Sequence, residues 1–334
     1  MEALGSHSSH RSMSGEERAS VPLQESGATG SRTSHMRLAV GIPTIGRPAI
    51  VRGALRELMD QTRLPDLVVI CASRPEDVEG LAADPASTRI VFSTPGASRQ
   101  RNAIIDAAKD CDVIVFLDDD FLMQPDYLAE TEQAFLGEPA LVVTTGTVIA
   151  DGIGGPGLEL EDGRVLLDAD RKLRSTRPAT AQPRDAPTFC GYGCNLAFRV
   201  EVANRHGIRF DDRLPFYSWQ EDVDFSRRLG LHGKIVRLGR ARGVHLGTKV
   251  GRGSGVRLGY SQIVNPLYLA HNSRGRIYPY GYALVRIVRN LSANLLRSIR
   301  PEPYIDRRGR LRGNMTALGD VLRGRLEPER AAGL

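Results

Sequence analysis

Three consecutive acids, Asp118-Asp119-Asp120, close the apolar run Val113-Ile114-Val115-Phe116-Leu117. The run has the length and β-branched content of a buried parallel strand. Ligands of open α/β sheets bind beyond the carboxyl ends of the strands, where these acids lie. Side chains alternate along an extended chain, so Asp118 and Asp120 project one way and Asp119 the other. Carboxylates this close repel each other unless a cation lies between them. A hard divalent ion, Mg²⁺ or Mn²⁺, takes oxygen ligands and bridges to phosphates. The plainer alternative is a solvated acidic turn at a strand end.

A second acidic segment, Trp219-Gln220-Glu221-Asp222-Val223-Asp224-Phe225-Ser226-Arg227-Arg228, opens a helix. Its acids and the arginines one turn later complement the helix dipole, which is a purely structural reading. Asp224 and Arg228, four apart, are expected to pair on the surface. Asp222 has no local partner, which suits a general base that must accept a proton from a reacting hydroxyl. His245 follows the strand-like Lys234 to Leu238. Alone it reads as structural; beside a metal held by the upstream acids, its neutral imidazole would complete the shell. Gly96-Ala97-Ser98-Arg99-Gln100-Arg101-Asn102 opens another helix, whose free amides and two arginines suit a pyrophosphate, although Gly-Ala-Ser also describes an ordinary turn. Pro43-Thr44-Ile45-Gly46-Arg47 is a similar turn after the first strand.

Positioning these groups calls for alternating strands and helices. Leu38 to Ile42, Leu67 to Cys71, Arg89 to Phe92, Val113 to Leu117 and Leu141 to Ile149 read as strands. Val51 to Gln61, Asn102 to Lys109 and Pro125 to Phe135 read as helices. The expected class is α/β, a mostly parallel sheet with helices on both faces. From Asp151 to about Pro187 the pattern dissolves into Gly, Pro and mixed charge, which predicts a functional loop or mobile insertion. Regularity returns at Asn195 to Arg205 and Gln220 to Leu231. Residues 1–35, rich in Ser, Gly, His and Arg, read as a disordered tail. The expected organisation is that tail, a catalytic domain over 36–250 and a basic helical region over 251–334.

In that last region Tyr282 to Arg300 is amphipathic, with Leu284, Ile287, Val288, Leu291, Leu295 and Ile299 on one face and arginines on the other. Two readings stand: a helix packed on its own domain, or one lying on a membrane surface. From residue 241 onward there are 17 basic against 5 acidic residues, although the whole chain carries only +6. That asymmetry suggests an anionic partner, phospholipid or nucleic acid. The basic stretch lacks interleaved aromatics and any nucleic-acid motif, which argues against nucleic acid.

With 41% hydrophobic and 25% charged residues, the 334-residue chain has the composition of a soluble globular protein. No apolar stretch approaches the ~18 residues of a membrane span. No secretory pattern opens the chain, so a cytoplasmic location is expected. Cys71 and Cys111 read as reduced buried thiols, and Cys190 and Cys194 lack partners at zinc-site spacing.

Taken in order from about Arg37 to Lys249, these pieces resemble the family 2 glycosyltransferases, nucleotide-sugar enzymes of GT-A fold. Val40-Gly41-Ile42-Pro43-Thr44 looks like the first donor-binding loop, and Gly96 with Arg101 and Asn102 like the glycine-then-Arg-Asn segment near the donor. Asp118 and Asp120 match the D-x-D metal motif. Gly191 to Arg199 resembles the segment before the acceptor site. Gly207-Ile208-Arg209-Phe210-Asp211 with Glu221-Asp222 resembles the glycine-Phe-Asp and Glu-Asp pair. The resemblance implies a donor site including Pro43, Thr44, Arg47, Ser73, Gly96, Arg101, Asn102 and Asp118. It implies Mg²⁺ or Mn²⁺ on Asp118, Asp120 and His245, Asp222 as base with Glu221 on the acceptor side, and inversion at the anomeric carbon. Tyr192, Tyr217 and Trp219 could stack on an acceptor ring or pack within the protein. One departure is that the second strand runs into Cys71-Ala72-Ser73-Arg74, with no carboxylate to read a nucleobase until Glu76. The product would belong to polysaccharide, glycolipid or other glycoconjugate synthesis, with a saccharide, lipid-linked or small hydroxyl acceptor. Competing readings are a sugar-phosphate nucleotidyltransferase, whose usual Gly-rich basic loop after the first strand is missing here, and a non-catalytic carbohydrate-binding protein.

Overall fold

The computed structural model describes residues 35–334, except 82, 83, 85 and 250–252. The expectation of a tail over 1–35 lies, His35 apart, outside the described residues. The first apolar run forms β1 (Leu38–Pro43), and the proline at position 48 then starts α1 (Pro48–Met59), its fixed φ suiting a first helical turn. Then follow β2 (Leu67–Ala72), buried at every position, and β3 (Thr88–Phe92). α2 (Ala97–Ala107) starts five residues before the expected point. Its polar first turn hides the helical period, because Ser98, Gln100 and Arg101 are buried by distant partners. β4 (Val113–Phe116) and β5 (Phe121–Met123) flank the three acids and lead into α3 (Tyr127–Gly137) and β6 (Leu141–Asp151).

The segment expected to be irregular carries a helix, α4 (Leu160–Ser175). Gly163 and Leu167 are its buried residues, while Val165, Leu166 and Leu173 face solvent, so no clean apolar stripe betrays it. Its end charges were the legible signal: Glu161 and Asp162 in the first turn, Lys172 and Arg174 in the last. The short β7 (Ala186–Pro187), β8 (Leu196–Arg199), α5 (Val200–Arg205) and α6 (Glu221–Leu229) lead to β9 (Lys234–His245). β9 runs seven residues past the expected strand, so His245 is a strand-end residue.

The sheet order is β3-β2-β1-β4-β8-β6-β9-β5, with β7 also on β9. The β3-β2-β1-β4 half is parallel; β8 runs antiparallel between β4 and β6, and β5 antiparallel to β9. Side-chain alternation divides the core. Leu38, Val40 and Ile42 face Val51, Leu58 and Phe135 of α1 and α3. Ala39, Ile114 and Phe116 face Ile104, Val200, Phe225 and Leu229 of α2, α5 and α6. Helices therefore cover both faces, as expected. Gly41 lets α2 approach, since a Cβ there would lie 2.5 Å from Ile104.

α7 (Gly255–Asn272), α8 (Tyr280–Ile299) and α9 (Arg307–Leu322) belong to the same compact unit, Met36–Leu334. Polar as well as apolar groups join them. The Asn294 amide donates to Gln262 and Asn314, each at 2.8 Å, and Asn314 donates to the Gly259 carbonyl at 2.7 Å. α8 therefore turns Ala283, Ile287 and Asn294 inward. Of its expected apolar stripe, Leu284, Val288, Leu295 and Ile299 are exposed. Among the described residues no helix is long and apolar enough to cross a membrane.

Candidate active site

The acids sit on the tight connection from β4 to β5, where the Asp118 N–H donates to the Cys194 carbonyl and the Phe121 N–H to that of Asp118. Asp119 turns away from its neighbours, as alternation requires. It accepts from the Thr44 hydroxyl at 2.7 Å and meets the Arg47 guanidinium at 2.9 Å. Burial pushes its carboxyl up to about 7, against the pull of Arg47. Asp118 and Asp120 face His245, brought there by strand register: Phe121 pairs with His245 across β5 and β9, and Asp151 pairs with it across β6 and β9. His245 Nε2 lies 3.5 Å from Asp120 and 3.9 Å from Asp118, while Nδ1 lies 2.9 Å from Asp151. Asp120 also accepts from the Thr248 N–H at 2.7 Å, and the Tyr192 hydroxyl donates to Asp151 at 2.9 Å.

This set fits a divalent cation. One ligand atom from each of Asp118, Asp120 and His245 lies within 4.8 Å of the others. A carboxylate on Nδ1 fixes the imidazole with Nε2 toward the acids, the usual support of a metal-binding histidine. Burial alone would lower the His245 pKa, but hydrogen bonds to Asp120 and Asp151 and the charge of Asp118 carry it to about 10. The same negative field that holds a proton there would hold a dication.

Beside this cluster stands a buried ion pair. Arg101, on α2, contacts Glu221 at the start of α6, Asp118 at 3.3 Å and the Gly193 carbonyl at 3.0 Å. Glu221 is thereby turned inward. Burial and the adjacent Asp222 push its carboxyl up, and Arg101 pulls the other way. Asp222 is not partnerless as its sequence surroundings implied: it accepts from the Gly193 N–H at 2.9 Å and the Val223 N–H at 2.8 Å. Its pKa is nonetheless raised, burial outweighing these N–H groups and Arg101. Gly193 thus ties Asp222 through its N–H and Arg101 through its carbonyl. Asp224 and Arg228 do pair, at 2.7 Å, but with Asp224 buried, because α6 packs into the fold.

The backbone entering α6 is strained. Phe216, Ser218 and Gln220 have φ of 53°, 51° and 77°, the left-handed region that non-glycine residues seldom adopt. Surrounding elements hold it. The Ser218 hydroxyl donates to the Leu214 carbonyl at 2.7 Å, and Tyr278 donates to the Gln220 side chain at 2.6 Å. Asn265 of α7 donates to the Trp219 carbonyl at 3.0 Å. Arg286 of α8 stacks over the Trp219 ring at 5.3 Å.

The family model described as "Glycosyl transferase family 2" matches residues 39–207. The chain belongs to that family. No curated protein matches its sequence. Among solved structures, S. aureus TarS 1-349 is similar at TM-score 0.50 and 18% identity, over 90% of this chain and 83% of that one. The same protein with UDP-GlcNAc gives 0.50 and 17%, over 90% and 84%. GalNAc-T7 with UDP, GalNAc and Mn²⁺ gives 0.53 and 12%, over 88% of this chain and 58% of that one. At these identities the likeness is one of fold, GT-A with a helical extension.

In this family 2 glycosyltransferase, Asp222 and His245 lie beyond the matched residues, so the geometry alone joins them to Asp118 and Asp120. Several residues expected at the donor brace the site from within. Pro43 pairs with Cys71 in the sheet, Thr44 and Arg47 hold Asp119, and Asn102 bonds Phe210 and Asp212 at 2.9 Å. At the N-terminus of α2, expected to face a pyrophosphate, two amides are taken within the protein. The Ala97 N–H donates to the Phe216 carbonyl and the Ser98 N–H to the Ser218 hydroxyl, because the strained loop folds onto Gly96. After β2, Asp77 is occupied by the N–H groups of Gly46, Ser73 and Arg74, whereas the buried Ser73 hydroxyl has no partner among the described residues. Tyr192 lies edge-on to His245. All four cysteines are free, and burial pushes the Cys190 thiol up to about 12.

Asp151 is a residue that reading the sequence missed. A carboxylate ending β6 was visible, but its link to His245 exists only in the register of β6 on β9.

Proposed function

We propose that this chain transfers a hexosyl or deoxyhexosyl group from a nucleoside-diphosphate sugar to an acceptor hydroxyl, with inversion at the anomeric carbon. The observation that carries the reading is Gly193. It fixes Asp222 through its N–H while its carbonyl holds the arginine that contacts Asp118, so a buried base and a metal-capable acid cluster share one frame. Asp118, Asp120 and His245 would hold Mg²⁺ or Mn²⁺, and the ion would offset phosphate charge as the nucleoside diphosphate leaves. Asp222 takes the proton of the acceptor hydroxyl as its oxygen bonds to the anomeric carbon. The bond from that carbon to the diphosphate oxygen breaks, and the electron pair leaves with the nucleotide. A single displacement of this kind inverts the centre. Burial raises the pKa of Asp222, which strengthens its carboxylate as a base. Arg101 keeps Glu221 and Asp118 in place, and the free Ser73 hydroxyl is assigned to the donor nucleotide. Fold neighbours that hold UDP-GlcNAc, or UDP with GalNAc and Mn²⁺, support this donor class.

In this reading 36–250 is the catalytic domain, 251–334 bears on its acceptor side, and the enzyme works in the cytoplasm on glycoconjugates. Incubation with UDP-, GDP- and dTDP-sugars and Mn²⁺ tests it: nucleoside diphosphate should appear, faster when a hydroxyl acceptor is present. Pyrophosphate made from a sugar 1-phosphate and a nucleoside triphosphate, with no turnover of nucleotide-sugars, would instead mark a nucleotidyltransferase.

A further inference from the structure

On α8, Leu284, Val285, Val288, Leu295, Leu296 and Ile299 are each 52–76% exposed. At 3.6 residues per turn these six positions fall in one arc of about 120°. Gly281 and Ser292 are the other residues in that arc, which therefore carries no charge. A helix packed for water shows the reverse arrangement, apolar side in and polar side out. Here the inward side carries Ala283 and Ile287 but also Asn294 and Asn290, in an amide network with Gln262, while the outward side is apolar save for Ser292. So large an unpartnered apolar face marks an interaction surface.

Charge identifies the occupant. α8 contains Arg286, Arg289 and Arg297 and no acid, and Arg300 follows it directly. Arg289 and Arg300 border the apolar arc and are exposed, as are Arg308 and Arg312 of α9. A second copy docked here about a twofold axis would bring like-charged arginine rows together, which costs binding energy. An anionic bilayer surface accepts the leucines between its headgroups and neutralises the arginines. We infer that α8 lies in the plane of an anionic membrane surface, with Leu284, Val285, Val288, Leu295, Leu296 and Ile299 buried in it.

The same helix stacks Arg286 on Trp219, three residues before Asp222, so the docked face and the base belong to one rigid frame. Given the transferase reading above, the acceptor is then a saccharide carried on a lipid. The docking itself needs no donor.

Co-sedimentation of the full chain with vesicles of phosphatidylcholine, with and without phosphatidylglycerol, tests the inference. Binding should require phosphatidylglycerol and weaken with added salt. V288E/L296E should keep its thermal unfolding midpoint, since both side chains are exposed, yet bind at least about tenfold more weakly. R289E/R300E should lose the preference for phosphatidylglycerol. Equal vesicle binding by wild type and V288E/L296E would overturn the proposal. So would a wild type that ignores vesicles but forms a dimer that V288E/L296E dissolves. Because no nucleotide-sugar enters this assay, its failure leaves the transferase reading standing, and a failed transfer assay leaves the docking standing.

Discussion

Glu221 and Asp222 are adjacent, buried and chemically alike, yet their partners divide their work. Glu221 is committed to Arg101, whereas the hydrogen bonds that Asp222 accepts among the described residues come from the backbone N–H groups of Gly193 and Val223. Two backbone N–H groups leave the Asp222 carboxylate lone pairs with which to take a proton, whereas Glu221 is committed to the guanidinium. Asp222→Asn should therefore lower kcat by about 10²–10⁴ with donor affinity little changed, measured by steady-state turnover and nucleotide titration. Retained turnover would remove Asp222 from the role. The acid limb of the rate profile should follow the same group. Burial raises the Asp222 pKa, and only its deprotonated form accepts a proton, so kcat/KM should fall on acidification at a pH above the ordinary carboxylate value of about 4. A profile that stays flat down to that value speaks against it. The acids and His245 were legible as residue types in suggestive places. The brace made by Arg101 was not, because its partners come from α6 and the turn before β8, far away in the chain.

Elements matter here chiefly through register and clamping. β4 and β5 place the acids, β6 and β9 place His245 beside Asp151, and residues beyond 250 hold the strained entry to α6. Tyr278→Phe removes the hydroxyl that fixes Gln220, a hydrogen bond whose loss costs about 1 kcal/mol. It should lower kcat several-fold while KM for the donor stays near wild type. A shift in donor KM alone would show that the clamp serves binding rather than the base. α4 makes a different demand: a Cβ at Gly163 would lie 2.6 Å from Leu122 and 2.8 Å from Leu246. Gly163→Val should destabilise the fold by about 1–3 kcal/mol in denaturant unfolding, and an unchanged midpoint would mean α4 is free to move away. The buried strands were readable because an uninterrupted apolar run has few other solutions. α4 was not, since one leucine and one glycine make its buried edge. α8 was found as a helix, but its period could not say which face met the protein. That was decided by the amides of Gln262, Asn294 and Asn314.

Across the whole molecule, charge and topology agree on a division of labour. The half of the sheet from β3 to β4 is the parallel α/β frame, and the mixed half carries Asp151 and His245 of the acid cluster. The chain before residue 241 is slightly acidic, and the helices after it are strongly basic. Steady attraction of that basic end to an anionic surface would present the Trp219–Asp222 edge to whatever the surface holds. All of this depends on Asp118, Asp120 and His245 capturing a dication that the nucleotide needs. The most direct test is calorimetric titration of wild-type protein with UDP, GDP and dTDP, in Mn²⁺ or Mg²⁺ and again in a chelator. At least one nucleotide should bind tenfold or more tightly with the metal, roughly 1.4 kcal/mol, and Asp120→Asn should erase the difference. Nucleotide affinity indifferent to metal in the wild type would contradict the account.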